Sequence, residues 1–291
     1  QWPPVRSSSS ELEKGMSPFY LSDKPSVINI SVGRQLFVDN FLIESTNLKR
    51  TLYYPEYYSG NPILTPEQDW EKTGTKGAAF AAPFSDGVWY DEKEGKYKMW
   101  YMAGGGSYAT SGAGVTCYAE STDGIHWTKP TLSVVAGTNI VDYNSERDAS
   151  VIWLDKQESN ASKRYKMFLV ARESGKWRYR YKTSPDGKVW RAAAQSEPIA
   201  DRSTVYKNPF RNVWVYSMRH NVRVDANKLV RARDYNENAD PEVGTKKAEA
   251  LLSAFWFGPW ANEQRHTDYP NIAPAIYNQD ATPYESIMLG F

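Results

Sequence analysis

Three short acidic motifs with one spacing recur along the second half of the chain. Each is an aspartate followed two positions later by serine or threonine, and the aspartates are Asp148, Asp201 and Asp280. Glu285, in the stretch PYESIML, lies just beyond the third motif. Carboxyl groups that face one another across a substrate can serve as general acid, general base or nucleophile. We therefore predict these four acids as catalytic residues, with the competing interpretation that each aspartate caps a turn.

Basic and aromatic side chains accompany these acids in the sequence. Arginine offers bidentate donors to hydroxyl or carboxylate groups, and it also balances clustered negative charge. For the single tryptophan of the set, a place in the core is the competing interpretation. We predict the following substrate-binding residues, with no metal ligand among them: Arg147, Arg202, Arg219, His220, His266, Asp268, Asp86 and Trp89.

Composition and missing motifs argue against several other classes of function. The 35 basic and 34 acidic residues leave a net charge of +1, which gives no electrostatic footprint for nucleic acid. No apolar run approaches the length of a membrane span. Cys117 is the single cysteine, which rules out an internal disulfide and a cysteine-based zinc site. The sequence contains neither a phosphate-binding loop nor a GxSxG serine elbow.

The elements that would position the acids repeat along the chain. Residues 87–104 and 150–171 each hold a short apolar strand ending in aspartate, a polar connector and a Tyr-Lys-Met-aromatic motif. Both units then reach a Ser-x-Asp-Gly-x-x-Trp segment, at 121–127 and at 184–190. Asp-Gly is a strong turn dipeptide. We therefore interpret the aspartates of these two segments as turn residues that mark the repeat, and not as catalytic acids.

Further units complete the pattern. Residues 201–219 form a weaker third copy, and a fourth begins at 279–291. Between them we predict an insertion at 221–265 with one short helix after Asp240. Units of short antiparallel strands that recur every ~40–70 residues are typical of a propeller. We predict an all-β fold, a β-propeller of four-stranded antiparallel blades, in preference to a β-sandwich, which does not repeat internally at this period.

The two ends of the chain carry separate expectations. Residues 1–28 include a Pro-Pro pair and a run of four serines, which predicts a poorly ordered leader before a propeller domain over 29–291. Two short strands are predicted near 34–43. The chain ends on an apolar strand in its fourth unit, whereas a closed propeller needs roughly four or more complete blades. We expect either a longer native chain or a ring closed by N-terminal strands.

Several motifs together resemble one family. They are LFVDNFLIES, APFSDGVWYDEKEGKYKMWYMAG, YAESTDGIHWTKP, RDASVIWLD, DRSTVYKNPFRNVWVYSMR and YNQDATPYESIMLGF. They resemble the five-bladed propeller glycoside hydrolases of the invertase and arabinanase type and their bacterial polysaccharide-degrading relatives. Arg147-Asp148 matches the Arg-Asp-Pro motif of the second blade, with Ala149 in place of proline. The stretch APFSDG departs from the first-blade motif, because Phe84 takes the position of the nucleophile and Asp86 is displaced by two residues.

This resemblance implies a furanosidase-like glycoside hydrolase that acts on a plant or microbial poly- or oligosaccharide. Asp148 would orient the substrate or stabilise the transition state, Asp201 or Asp280 would act as base or nucleophile, and Glu285 would be the general acid. No organic cofactor is implied, and oxygen ligands could hold a structural calcium ion. We expect a periplasmic or extracellular protein, its signal peptide removed, that binds carbohydrate and no nucleic acid; the oligomeric state stays open. The alternative function, which Phe84 favours, is a glycan-binding propeller without catalysis.

Overall fold

A computed structural model describes residues 25–31, 33–72, 79–104, 114–143, 146–225, 228–249, 253–259 and 263–290. The predicted leader lies almost wholly outside these ranges. Where the structure describes the chain, no helix is both long and apolar enough to cross a membrane.

Antiparallel sheets follow one another along the chain, and we call each sheet a blade. In blade one, β3 (Lys96–Ala103) pairs with β2 and with the short β1 on one side and with β4 on the other. The other strands of blade one are β1 (Ala81–Ala82), β2 (Val88–Asp91), β4 (Val115–Ser121) and β5 (Ile140–Asp142). Blade two consists of β6 (Arg147–Leu154), β7 (Tyr165–Glu173), β8 (Lys176–Ser184) and β9 (Arg191–Gln195).

Blade three also has four strands, and the chain then enters a final hairpin. Blade three consists of β10 (Thr204–Asn208), β11 (Val213–Asp225), β12 (Lys228–Asn238) and β13 (Ala254–Phe257), with the helix α1 (Pro241–Lys247) before its last strand. Blade four is represented by β14 (Ala281–Tyr284) and β15 (Ile287–Gly290). The predicted all-β fold of four-stranded antiparallel blades is confirmed.

Buried ion pairs explain why the Tyr-Lys-Met motif recurs. The lysine of each motif is almost fully buried on the second strand of its blade. Lys98 contacts Asp91 at 3.3 Å and Glu94 at 2.6 Å, in the connector that precedes its strand. Lys166 contacts Asp155 and Glu158 in the same way, both at 3.0 Å. Because a buried ammonium group requires a nearby negative charge, the aspartate that ends the preceding strand recurs together with the lysine.

We predict that Asp91→Asn lowers the free energy of unfolding at neutral pH by about 3–5 kcal/mol. Asp91 is fully buried and accepts hydrogen bonds from Arg164 and Tyr165. Its neutralisation removes the negative charge that faces both Arg164 and Lys98. Burial opposes ionisation of Asp91, but the hydrogen bonds from Arg164 and Tyr165 and the charge of Lys98 outweigh it and hold its pKa well below the usual range.

The pH dependence of unfolding provides the control. A carboxylate with a lowered folded pKa stabilises the fold above its unfolded pKa of about 4, and this contribution is lost as the pH falls below that value. Urea denaturation should therefore show a smaller acid-induced loss of stability for Asp91→Asn than for the wild type. The matched variant Asp155→Asn should cost less, because Asp155 is partly exposed and contacts Lys166, whereas the buried Asp91 contacts both Lys98 and Arg164. Equal costs for the two variants would contradict this explanation of the repeat.

Aromatic side chains hold neighbouring blades together. Between blades one and two, the rings of Trp100 and Tyr165 lie 5.5 Å apart. Between blades two and three, Trp153 lies 5.9 Å from Trp214 in an edge-on arrangement. All four side chains are buried. Each such pair contributes about 0.5–1.5 kcal/mol beyond its buried area, so much of the aromatic content serves the packing of the blades.

The Asp-Gly segments are turns, as predicted. Asp123 Oδ1 accepts hydrogen bonds from the backbone of Ile125 and His126, both at 2.8 Å. In the second turn, Asp186 Oδ1 likewise accepts hydrogen bonds from the backbone of Lys188 at 2.8 Å and of Val189 at 3.1 Å. The second turn also contacts blade one, because Trp100 Nε1 donates to the Gly187 carbonyl at 2.7 Å. These aspartates cap turns through their side chains, which is the role that their spacing indicates.

Where residues 221–265 are described, their strands belong to the sheet of blade three. The β11–β12 ladder runs from Trp214↔Asn238 to Asp225↔Lys228, and β13 then pairs with β12. The exposed part of this ladder carries several arginines and few long apolar side chains, which hides its alternation from sequence patterns. The predicted helix is present as α1, and Asp240 caps it by accepting from the backbone of Glu242 at 2.7 Å.

The predicted strands near 34–43 are absent from the described residues there. Asp39 accepts a hydrogen bond from the backbone of Phe41 at 2.8 Å, and Ile43 donates to the Asn40 carbonyl at 3.1 Å. These contacts form a turn in the middle of the stretch. The local Asp-Asn pair therefore overrides the apolar alternation on which the strand prediction depends.

Candidate active site

One strand from each of the four blades, namely β2, β6, β10 and β14, lines a central cavity of about 260 Å³. Blades one and two meet where Ile152 N donates to the Asp86 carbonyl at 2.7 Å. Blades three and four meet where the Thr204 hydroxyl donates to the Gln279 carbonyl. The cavity is lined by Ser85 and residues 87–89, 151–153, 204–206 and 280–282. Side chains at the starts of these strands therefore converge at one end of the channel.

Asp148 lies where β6 bulges. The pairing of β6 with β7 shifts register between Arg147 and Ser150. Asp148 lies within this irregularity, where the regular alternation of side chains is interrupted. Asp148 Oδ2 accepts from the backbone of Arg202 at 2.6 Å, and Oδ1 lies 3.4 Å from the Arg202 Nε. The side chain of Asp148 is 13% exposed. The negative charge of Asp148 is thus compensated from blade three.

Asp201 stands in the turn that enters β10. The guanidinium of Arg219 donates to the Asp201 carboxylate, whose side chain is 25% exposed and thus more accessible than that of Asp148. Its neighbour Arg202 has φ +56°, in the left-handed region that residues other than glycine rarely adopt. This conformation accompanies the backbone contact between Arg202 and Asp148.

Asp280 precedes β14 and lines the central cavity. Its Oδ2 accepts from the Ser85 hydroxyl at 3.0 Å and from the Asn278 amide at 2.7 Å. Burial raises the pKa of Asp280 above its ordinary value, although both hydrogen bonds and the charge of Arg233 act in the opposite direction. The surroundings of Asp280 therefore favour its protonated form.

Intervening residues link Asp148, Asp201 and Asp280 into one group, which we call the aspartate cluster. Arg202, next to Asp201 in the chain, contacts Asp148 and lies 4.4 Å over the ring of Phe84. Phe84 is followed by Ser85, which bonds to Asp280. Residues just before β2 of blade one therefore link the three Asp-x-Ser/Thr motifs.

Asp86 and Arg147 form a closed pair beneath the cluster. Arg147 Nη1 and Nη2 donate to the two carboxylate oxygens of Asp86 at 2.9 and 3.0 Å, and Nη1 also donates to Thr116 at 2.7 Å. Both side chains are fully buried. The structure therefore places these predicted substrate-binding residues in the framework, where they join blade one to blade two.

Glu285 lies apart from the aspartate cluster. It occupies the turn of the β14–β15 hairpin with φ +52°, at the other end of β14 from Asp280. Five residues of extended chain separate the two acids by roughly 16 Å. Arg34 donates to the Glu285 carboxylate and thereby lowers its pKa. Both the place and the protonation state differ from those predicted for a buried general acid, because Glu285 follows a strand and does not begin one.

The remaining predicted binding residues have other partners. Arg202 and Arg219 contact Asp148 and Asp201, so they balance the charge of the cluster. Trp89 lines the cavity, but its Nε1 donates to the Ile152 carbonyl at 2.7 Å and its ring packs on Trp153. Trp89 is therefore a core residue that also forms part of the cavity wall.

The three histidine and aspartate candidates lie in two places. His220 Nδ1 is 3.0 Å from the buried carboxylate of Asp234, on blade three. His266 and Asp268 are exposed, and they contact each other and Tyr269. Within the described ranges, no group of three or more His, Cys, Asp or Glu side chains is arranged to hold a metal ion. The calcium ion stays a prediction.

Sequence patterns do not identify several residues at this end of the channel. Ser85 and Asn278 bond to Asp280, while Arg233 is fully buried and donates to the Arg202 carbonyl at 2.9 Å. Burial lowers the pKa of Arg233 to about 10. The signal that could find Arg233 is the alternation in LVRARDYNEN, which becomes visible only when residues 228–238 are recognised as a strand.

Comparisons with known proteins give matches among solved structures. No protein-family model and no curated protein matches the sequence. The chain is similar to sucrose-6-phosphate hydrolase from Lactobacillus gasseri, with 16% identity and a TM-score of 0.46 over 68% of this chain and 39% of that one. It is similar to a fructofuranosidase from Schwanniomyces occidentalis, with 12% identity and a TM-score of 0.42 over 62% and 37% of the two chains.

A bacterial structure is matched as well. A glycosyl hydrolase from Bacteroides ovatus shares 12% identity and a TM-score of 0.35 over 66% of this chain and 59% of that one. The chain thus spans less than two thirds of the length of each of these structures.

Proposed function

We propose that this protein hydrolyses a glycosidic bond at the aspartate cluster. The observation that carries the proposal is the contrast between neighbouring carboxyl groups. Asp280 is partly buried on the cavity wall with a raised pKa, whereas Asp148 and Asp201 each face a guanidinium group. Glycoside hydrolysis needs one carboxyl group that can donate a proton and another that is ionised.

The geometry supports a division of roles. Asp280 would protonate the leaving oxygen, because its environment favours the neutral acid. Asp201 would attack the anomeric carbon or activate water, because it is the more exposed of the two aspartates that face a guanidinium. Asp148 would fix Arg202 and stabilise positive charge that develops on the sugar in the transition state. Glu285 has no part in this mechanism.

The pH dependence of turnover tests this assignment. A general acid is active only while it is protonated, so kcat/KM should fall as the pH rises through the pKa of Asp280. Because burial raises that pKa, activity should extend to a higher pH than an ordinary aspartic acid would allow.

A substrate screen should use 4-nitrophenyl furanosides and pyranosides together with neutral and acidic oligosaccharides. Hydrolysis by the wild type that is retained in full by Asp201→Asn would contradict the proposed nucleophile or base.

One observation favours a second function, glycan binding without catalysis. Phe84 stands where the resemblance places a nucleophile, and the guanidinium of Arg202 covers its ring. Asp86, the nearest acid in blade one, is fully engaged by Arg147. If the same screen detects binding of an oligosaccharide by calorimetry but cleavage of none, the binding function replaces the hydrolase proposal.

A further inference from the structure

Blade three extends beyond the aspartate cluster as a two-stranded hairpin. β10 pairs with β11 only as far as Thr204↔Ser217, three residues after Asp201. The β11–β12 ladder continues past that point to Asp225↔Lys228. We call residues 218–223 and 229–234 the rim hairpin. It continues the sheet on the side of the channel where the aspartate cluster lies.

Arginines occupy one face of the rim hairpin. Arg219 and Arg233 are paired across the two strands, and Arg231 follows on the same face two residues from Arg233. Arg219 bonds to Asp201, whereas Arg233 bonds to Ser217 and to a backbone carbonyl. Within the described part of the chain, neither Arg231 nor Arg233 forms an ion pair. This face therefore carries positive charge beyond what the aspartate cluster neutralises.

Arg231 differs from the arginines that the sequence singles out. Arg147, Arg202 and Arg219 each face an aspartate. Arg231 is exposed, and its guanidinium lies 4.2 Å over the ring of Tyr277. Stacking on an aromatic ring holds the guanidinium in place while its donors stay available to a ligand.

Tyr277 connects Arg231 to the candidate active site. The guanidinium of Arg202 lies 5.3 Å from the same ring, and Tyr277 precedes Asp280 by three residues. A second cavity, of about 320 Å³, is lined by residues 229–231 and by Asn271, Ile272, Ala273 and Ala275. Arg231 thus lies on a concave surface beside the segment that carries the proposed general acid.

We propose that Arg231 is a specificity-determining residue that binds an anionic substituent on the sugar, either a uronate carboxylate or a sulfate ester. The proposal rests on the proposed function for the nearby bond cleavage. A planar guanidinium forms paired hydrogen bonds with either group, and charge-assisted hydrogen bonds are roughly twice as strong as neutral ones. Arg233, buried behind Arg231 without an acidic partner in the described residues, adds attraction for an anion.

Calorimetric titration of the full chain tests the proposal with three probes: a tetragalacturonate, a sulfated galactan tetrasaccharide and a neutral galactan tetrasaccharide. Arg231→Gln should weaken binding of at least one anionic probe by roughly tenfold. It should leave the neutral probe unchanged, and added salt should reduce the difference between wild type and variant. Arg231→Lys keeps the charge without the planar fork and should show a smaller loss.

The matched control is Arg191→Gln, which removes an exposed arginine from the outer strand of blade two. It should bind every probe as the wild type does. Equal weakening for neutral and anionic probes, no change in Arg231→Gln, or absence of binding to both anionic probes would each overturn the inference. Hydrolysis is measured in parallel: anionic binding that depends on Arg231, without cleavage, overturns the proposed hydrolase and retains the binding site.

Discussion

Asp280→Asn is expected to lower kcat/KM for a hydrolysed oligosaccharide by roughly 10²–10⁴-fold. Asparagine has the shape of aspartate, and its carbonyl can accept the bonds that Ser85 and Asn278 now donate. It cannot deliver a proton to the leaving oxygen. The loss should be much smaller for a 4-nitrophenyl glycoside, because 4-nitrophenolate leaves without protonation. Steady-state kinetics on the two substrates measure this difference.

The same variant should retain its stability. Burial raises the pKa of Asp280, so ionisation of this group costs folding free energy at a pH above its folded pKa. A neutral asparagine avoids that cost, and urea denaturation above neutral pH should give an unfolding free energy no lower than that of the wild type. The control Glu285→Gln should leave kcat/KM unchanged for both substrates, because Glu285 contacts Arg34 at a distant turn. Equal losses for the two leaving groups would contradict the role of Asp280 as general acid.

Gly187→Ala is expected to lower the free energy of unfolding by about 3 kcal/mol or more. Gly187 has φ +78°, and an added Cβ would lie 2.3 Å from Cζ2 of Trp100. Trp100 is fully buried and donates to the carbonyl of the same glycine, so the ring cannot move away without losing that bond. Backbone strain and overpacking therefore act at one position.

The equivalent turn of blade one supplies a closely matched control. Gly124 has the same φ of +78°, but the nearest atom to an added Cβ is on Tyr97 at 3.8 Å. Gly124→Ala should thus incur the backbone strain alone, about 1–2 kcal/mol. The difference between the two variants in chemical denaturation isolates the contact with Trp100. Indistinguishable stabilities would show that the turn of blade two does not pack on blade one as described.

The repeat in the sequence predicts much of the fold because its landmarks have local causes. The Asp-Gly turns, the strand-ending aspartates and the buried lysines act within one hairpin, so their spacing in the chain reflects their spacing in the structure. The register of the repeat also predicts that Asp148, Asp201 and Asp280 occupy equivalent positions, at or just before the first residues of β6, β10 and β14. This prediction depends on an alignment of blades and needs no side-chain detail.

The partners of those acids could not be predicted in the same way. Asp86 and Arg147 are 61 residues apart, and only the packing of two blades shows that they bond to each other. Glu285 has the sequence context of a catalytic acid, yet a hydrogen bond from Arg34, 251 residues away in the chain, lowers its pKa. Arg231 was hidden because a polar, arginine-rich strand lacks the apolar alternation that identifies strands. Long-range pairing and burial, which sequence spacing does not encode, decide each of these cases.

The contact between the turn of blade two and the core of blade one has a consequence for cooperativity. Lys98 Nζ and Trp100 Nε1, both on the second strand of blade one, donate to the carbonyls of Asp186 and Gly187 at 3.1 and 2.7 Å. If blade two were to open alone, the buried indole of Trp100 would lose its acceptor and Lys98 would lose one acceptor while keeping Asp91 and Glu94, which would destabilise blade one as well. Blades one and two therefore unfold as one cooperative unit, although the sequence repeat separates them. The amide protons of β3 should exchange with solvent in the same opening event as those of β8, although the sequence divides the two strands between separate units.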